Sequence, residues 1–392
     1  MSIGRFLKKA VSIDTITTHH EYIAALRGLA TLPIIAVHVC ALPNLALGPL
    51  SYLYVSHMGI GVPLFYLLSA YTLCLSMNKR KDSGIDSFYI RRFFRIAPLF
   101  YSMLALYVIY KILILKNNVS IAHIITNMLF VFNFIPQDSR FEGIVWASWS
   151  IGVEMPFYLI FPFLLKRSRN ISRSLIIFLA ALVISYAFRL GLHLIVTKGM
   201  TQDMLLSAEI IRKYGYMSLL ATFPYFMLGI ITFHIRNYIN SNKKRSYRLI
   251  SKIFLGGTFL ALILLPHLHE KYMLNPFPLN YVYGLFFVAL VLSLSIHKNA
   301  FLVNRLTVFW GEISYSMYLV HPVVIVVFAQ VGIYYKIYSL VRNDLLAFAC
   351  CCLLTILAVT IVSIFTYKFI EFPGMKLGRI IDQRVHTARE LP

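Results

Sequence analysis

The amino-acid sequence predicts an all-α polytopic membrane protein, and three observations carry that expectation. Of its 392 residues, 59% are hydrophobic and only 13% charged, too little charge for the surface of a soluble protein this long. The apolar residues recur in runs of about 20, the length a helix needs to cross the hydrocarbon layer. Lys and Arg gather in alternate connections between those runs, the pattern of the positive-inside rule. That distribution accounts for the net charge of +22, so nucleic acid is not an expected partner. The lipid bilayer is, and some of the basic clusters can meet anionic headgroups.

Ten spans are expected, at 22–42, 57–77, 93–115, 147–165, 174–196, 216–234, 249–266, 279–297, 310–332 and 345–367. Met1 to His20 is polar and basic with no apolar core, so no cleavable signal peptide is expected. With the N-terminus inside, 26 Lys and Arg fall in cytoplasmic segments and nine in outer ones, while Arg27 and Arg189 remain within spans. The inner set includes Arg5, Lys8 and Lys9, then Lys79, Arg80 and Lys81, then Lys166, Arg167, Arg169 and Arg173, then Lys243, Lys244 and Arg245. This asymmetry predicts an N-in, C-in chain. Residues 121–136 are apolar but short, and counting them as a span would move the Lys166–Arg173 cluster outside. A re-entrant or interfacial segment is expected there instead. No stretch outside the spans is long enough for a second folded domain, so residues 1–392 read as a single membrane domain with its core at 21–373.

The first span holds the most informative pair, Arg27 and His38, in an otherwise apolar run from Ile23 to Leu50. Eleven helical residues bring the two side chains within about 20° of one face and about 16 Å apart along the axis. Arg27 is then expected near one membrane edge and His38 about halfway across, where an ionisable group needs a polar role. Arg92 and Arg95, one turn apart where the third span begins, combine two guanidiniums with a helix N-terminus, a setting suited to phosphate. Positive-inside topology accounts for them equally well.

Glu154 lies one or two turns into the fourth span, after Trp146 and Trp149, which fit an interfacial aromatic belt. It either orients a base or an arginine, or serves as a structural partner of Arg189. His321, about halfway along the ninth span, reads as a neutral histidine bonded to a neighbouring hydroxyl or as a site residue. The five cysteines (Cys40, Cys74, Cys350, Cys351 and Cys352) all lie in apolar runs and read as packing residues. No metal-ligand spacing, Gly-Xaa-Ser-Xaa-Gly nucleophile or Gly-rich phosphate loop appears, so no metal is expected.

Taken together, these residues resemble the acyltransferase-3 family of integral membrane acyltransferases over nearly the whole chain. Arg27 and His38 match its first-helix pair of a basic residue and a histidine, and Arg92 and Arg95 match its Arg-Xaa-Xaa-Arg. Leu64-Phe-Tyr-Leu-Leu-Ser69-Ala70-Tyr71 resembles its run ending in Ser-Gly-aromatic, with alanine in place of glycine. Trp149-Ser-Ile-Gly-Val-Glu154 resembles its Trp-Ser-Leu-Xaa-Xaa-Glu, although Met155 and Pro156 replace the usual acidic residue and glutamine. Ser314-Tyr315-Ser-Met-Tyr-Leu-Val-His321 and Glu371-Phe-Pro373 resemble its late motifs.

Members acylate, mostly acetylate, hydroxyls of bacterial surface sugars. The resemblance therefore implies an O-acyltransferase in a bacterial inner membrane that takes an acetyl group from acetyl-CoA, a co-substrate and not a permanently bound cofactor. It implies His38 as general base with Glu154 in the catalytic set, and Arg27, Arg92 and Arg95 as holders of the donor. Ser69, Tyr71, Trp149, Tyr315 and His321 would support them. The acceptor would be a carbohydrate or lipid-linked sugar, such as O-antigen or exopolysaccharide. Some members carry a C-terminal periplasmic hydrolase-like domain. This chain stops about 20 residues after Glu371, which implies action without that domain or with a separate periplasmic partner. A transporter or flippase for a polysaccharide precursor would share the many helices and the buried His and Arg, but it would need no acyl-CoA.

Overall fold

Helix is the only regular structure open to apolar backbone that must satisfy its own hydrogen bonds in lipid, short of a closed barrel. The computed structural model describes residues 20–79, 84–197, 208–242, 247–271 and 280–390, and among these no strand forms. The N-terminal segment to His19, with its basic residues Arg5, Lys8 and Lys9, and the basic residues Arg80, Lys81, Lys198, Lys243, Lys244 and Arg245 lie outside the described residues. Two compact units are present. One joins the described residues up to Leu68 with Ile235–Tyr367, and the other joins Ser69–His234 with the described residues from Lys368 onward.

In the first unit, α1 (Glu21–Ala41) is followed by α2 (Pro49–Ser56) and the start of α3 (Gly61–Lys79). The chain continues through α10 (Tyr247–Lys271), α11 (Asn280–Ile296), α12 (Arg305–Glu312), α13 (Ser314–Gln330), α14 (Ile333–Leu340) and α15 (Asp344–Thr366). Ile35 and Val39 of α1 join Phe309, Met317, Ile325, Cys351 and Val359 in one apolar core. α1 is buried on several sides because α12 touches it backbone to backbone. A Cβ at Gly28 would come within 2.5 Å of the Thr307 carbonyl oxygen, and one at Gly311 would overlap the Ala24 backbone. The first turn of α12 is fixed by a capping box. Asn304 Oδ1 accepts from the Leu306 and Thr307 N–H groups, and Thr307 Oγ1 accepts from the Asn304 N–H at 3.1 Å.

The second unit contains the rest of α3, α4 (Ile85–Leu113), α5 (Ile121–Met128), α6 (Trp149–Arg167), α7 (Ile171–Thr197), α8 (Ala208–Met217), most of α9 (Leu219–Ser241) and α16 (Phe372–Glu390). Its core is aromatic, with the Phe157 and Phe226 rings stacked at 3.8 Å. α16 lies close against α4, where Gly374 and Gly378 leave room for Pro98 and Phe94. The two helices are also tied by charge. Asp382 accepts from Ser87 Oγ and, at 2.6 Å, from Arg91 Nη1.

The expected class holds: this is an all-α, multi-pass membrane protein. Seven described helical stretches are long and apolar enough to cross a membrane, or eight with the bent α12–α13 pair, rather than ten. The other two expected spans are helices of different character. α6 carries Glu154, Pro156, Pro162 and a basic end, and the described part of α11 is 17 residues long. The ninth expected span, drawn as one helix over 310–332, is two helices meeting at 77°. Ser314 Oγ donates to the Gly311 carbonyl at 2.8 Å at that corner, where Ile313 leaves helical backbone geometry. Residues 121–136 form only the eight-residue α5 and a short turn, about 12 Å of helix. Asn127, the buried residue of α5, accepts from the Ile144 N–H at 3.0 Å.

Candidate active site

His38 lies near the C-terminal end of α1. The apolar run that begins at Ile23 breaks after Ala41, where Pro43 and Asn44, the latter at φ 55°, turn the chain into α2. His38 therefore sits in the last turn of α1. It remains half-buried, with its Nδ1 at 2.8 Å from the Ile34 carbonyl oxygen. α13 brings the fully buried His321 against it, Nε2 to Nδ1 at 3.1 Å, with ring centroids 4.9 Å apart. His321 Nδ1 is in turn 2.6 Å from the Tyr318 carbonyl oxygen. Two histidines 283 positions apart thus form one pair in the first unit.

Arg27 is half-buried on α1, and its carbonyl oxygen accepts from Thr31 Oγ1 at 3.0 Å. Tyr315 stands half-buried in the first turn of α13.

The second unit builds a carboxylate cluster. Glu154 Oε1 accepts hydrogen bonds from Ser69 Oγ and from Tyr158 OH, each at 2.5 Å, and the two hydroxyls lie 3.1 Å apart. A carboxylate can only accept, so both hydroxyls donate to it, and charge-assisted bonds of this kind are stronger than neutral ones. Tyr158 escaped the sequence reading, although its position one helical turn after Glu154 was a signal for it. α6 runs through Met155 and Pro156 without a break. The pairing of Glu154 with Arg189 considered from sequence is replaced by this cluster, and the Arg189 guanidinium lies 4.8 Å from the Tyr216 ring centroid. Tyr71 is fully buried, and Trp149 is half-buried at the start of α6.

Arg92 and Arg95 share one stretch of α4 but have different surroundings. Arg92 interacts electrostatically with Glu154 and Tyr158 and lies 6.0 Å from the Phe88 ring centroid. Its Nε is buried and has no acceptor among the described residues. Arg95 Nη1 pairs with Glu371, whose side chain is fully buried, and approaches Met375 Sδ at 3.1 Å. The Ser87–Asp382–His386 group looks at first like a nucleophile with its base. Ser87, however, gives its proton to Asp382, and His386 Nε2, at 2.7 Å, must then donate to Ser87 Oγ. The group fastens α16 to α4 and does not activate the serine.

A family model described as an acyltransferase domain, that of the acyltransferase-3 family, matches residues 20–364. The chain belongs to the acyltransferase-3 family. It is 31% identical over 157 residues to the peptidoglycan O-acetyltransferase OatA of Listeria monocytogenes, covering 36% of this chain and 23% of that protein. It is 29% identical over 160 residues to the acyltransferase MdmB of Streptomyces mycarofaciens, covering 38% of this chain and 40% of that protein. Over 338 residues it is 24% identical to ORF330 of Acidianus two-tailed virus, provisionally named an acetyltransferase, covering 84% of this chain and 91% of that protein. No solved structure matches. As a member of the acyltransferase-3 family, the chain is a multi-pass membrane protein, and it spans less than half the length of OatA and of MdmB.

Proposed function

We propose that this acyltransferase moves an acetyl group from acetyl-CoA to a sugar hydroxyl of a bacterial surface polysaccharide, working in the inner membrane. The observation that carries the reading is the half-buried His38 backed by the wholly buried His321, a histidine held with one ring nitrogen still available. His38 takes the proton of the acceptor hydroxyl, whose oxygen attacks the thioester carbon. The C–O bond forms, the C–S bond breaks, and the proton passes from His38 to the departing CoA thiolate. No enzyme nucleophile is required.

Arg92 and Arg95 hold donor phosphates. The buried Nε of Arg92, which has no acceptor among the described residues, supports that assignment, because a buried guanidinium N–H without an acceptor is costly. The rise of about 16 Å from Arg27 to His38 is one that a pantetheine arm covers. Glu154, held by Ser69 and Tyr158, acts on the charge of Arg92. Acetyl-CoA is consumed as a co-substrate, and the acceptor is a carbohydrate or a lipid-linked sugar. Where that acceptor lies beyond the membrane, a separate periplasmic partner completes delivery.

The test is the O-acetyl content of the host's surface polysaccharide, measured by proton NMR before and after mild alkali. Three strains are compared: wild type, a deletion, and the deletion complemented with His38→Ala. Loss of acetyl in both altered strains is expected. Acetylation retained with His38→Ala would remove the base assignment, and loss of the whole polysaccharide in the deletion would favour export.

A further inference from the structure

We infer that His321 is a positioning residue that locks His38 in a single tautomer, leaving its Nε2 bare to receive the acceptor's proton. The inference rests on the acyl-transfer reading above and adds to it the atom that acts and the group that selects that atom. It follows from matching donors with acceptors. A carbonyl oxygen only accepts, so His321 Nδ1, 2.6 Å from the Tyr318 carbonyl, carries a hydrogen. His38 Nδ1, 2.8 Å from the Ile34 carbonyl, carries one for the same reason. The two rings meet at 3.1 Å between His321 Nε2 and His38 Nδ1. Because the latter bears hydrogen, His321 Nε2 must be a bare acceptor, and a charged His321 would set two N–H groups face to face. All donors therefore run one way, from His38 to Ile34 and His321, and from His321 to Tyr318. The one ring nitrogen left over is Nε2 of His38.

The residue after His321 explains why the Tyr318 carbonyl is open to this bond. In a regular helix it would accept from the N–H of residue 322, but that residue is Pro322, which has none. The His321-Pro322 pair thus supplies the side-chain donor and removes the backbone N–H that would compete with it, within a single helical turn. His321 is wholly buried, so water does not compete for its ring nitrogens. When His38 Nε2 takes the proton from the acceptor hydroxyl, the charged ring already has two acceptors aligned on its Nδ1–H, and no group has to move.

Two readouts test the assignment. The first is the ¹⁵N spectrum of the full-length protein labelled at histidine, with His38 identified by its absence from His38→Ala. Wild-type His38 should show protonated Nδ1 and bare Nε2. His321→Leu and Pro322→Ala should both weaken that preference, the second by restoring a competing backbone donor to the Tyr318 carbonyl. The second readout is acetyl transfer. His321→Leu should lower kcat about 100-fold with KM for acetyl-CoA within about twofold, and His321→Gln, whose amide oxygen can accept from His38, should recover most of that loss. An Nε2-protonated His38 in the wild type, or an undiminished kcat in a folded His321→Leu, would overturn the inference. The expected tautomer in a protein that transfers no acetyl would support the positioning role and remove the acyl-transfer reading instead. If His321→Leu does not fold, the wild-type spectrum together with Pro322→Ala still decides.

Discussion

Arg95 shows how a residue chosen for its charge acquires a partner that only the folded chain supplies. Its side chain is about three-quarters buried and its guanidinium is bound to Glu371, whose side chain is out of contact with solvent. Removing the acid takes the Glu371 counter-charge from a mostly buried cation, a loss worth about 3 kcal/mol for such pairs. Glu371→Ala should therefore lower the midpoint of thermal unfolding in detergent, and Glu371→Gln, which keeps a hydrogen-bond acceptor, should lower it less. Equal losses would mean that the pair contributes shape and not charge. At this scale the sequence was legible in part. Arg27, His38, Arg92, Glu154 and His321 stood out because ionisable groups in apolar runs are rare. Tyr158, and the role of Pro322 in freeing a carbonyl, did not, because a hydroxyl donor and a missing N–H signify only once their acceptors are known.

Helices α1 and α12 illustrate what element-scale packing demands. Gly28 and Gly311 let the two backbones touch, and a methyl at Gly311 would coincide with the Ala24 backbone. Gly311→Ala should thus cost about 3 kcal/mol and displace α12, and with it α13 and His321. Gly257, on α10, has nothing within 4 Å of where a Cβ would stand. Gly257→Ala should stabilise by about 0.5 kcal/mol through helix propensity alone. Unfolding midpoints of the two variants, moving in opposite directions, are the check. The apolar runs located these helices, since period and length are local properties. They placed the end of α1 within one residue of Ala41 but did not reveal that α12 and α13 meet at 77°. That corner depends on a turn whose hydrogen bonds, such as Ser314 to Gly311, are made only in the assembled unit.

For the whole molecule, composition and charge distribution fixed the class, and the family match over residues 20–364 agrees with it. The number of helices able to cross a membrane, seven or eight among the described residues, is smaller than the ten runs suggested. The difference arises because Glu154, two prolines and a basic end lower the apolarity of α6, and because the described part of α11 is only 17 residues long.

The measurement that bears most directly on the whole account is transfer of radiolabelled acetyl from acetyl-CoA by the purified full-length protein in lipid vesicles. Extracted host glycan serves as acceptor, and wild type is compared with His38→Ala. The account predicts label in alkali-labile ester on the glycan with wild type, and a loss of at least about 100-fold with the variant, both proteins being equally folded. Equal labelling by the two would contradict it, because the hydroxyl proton would then leave by a route that does not involve His38.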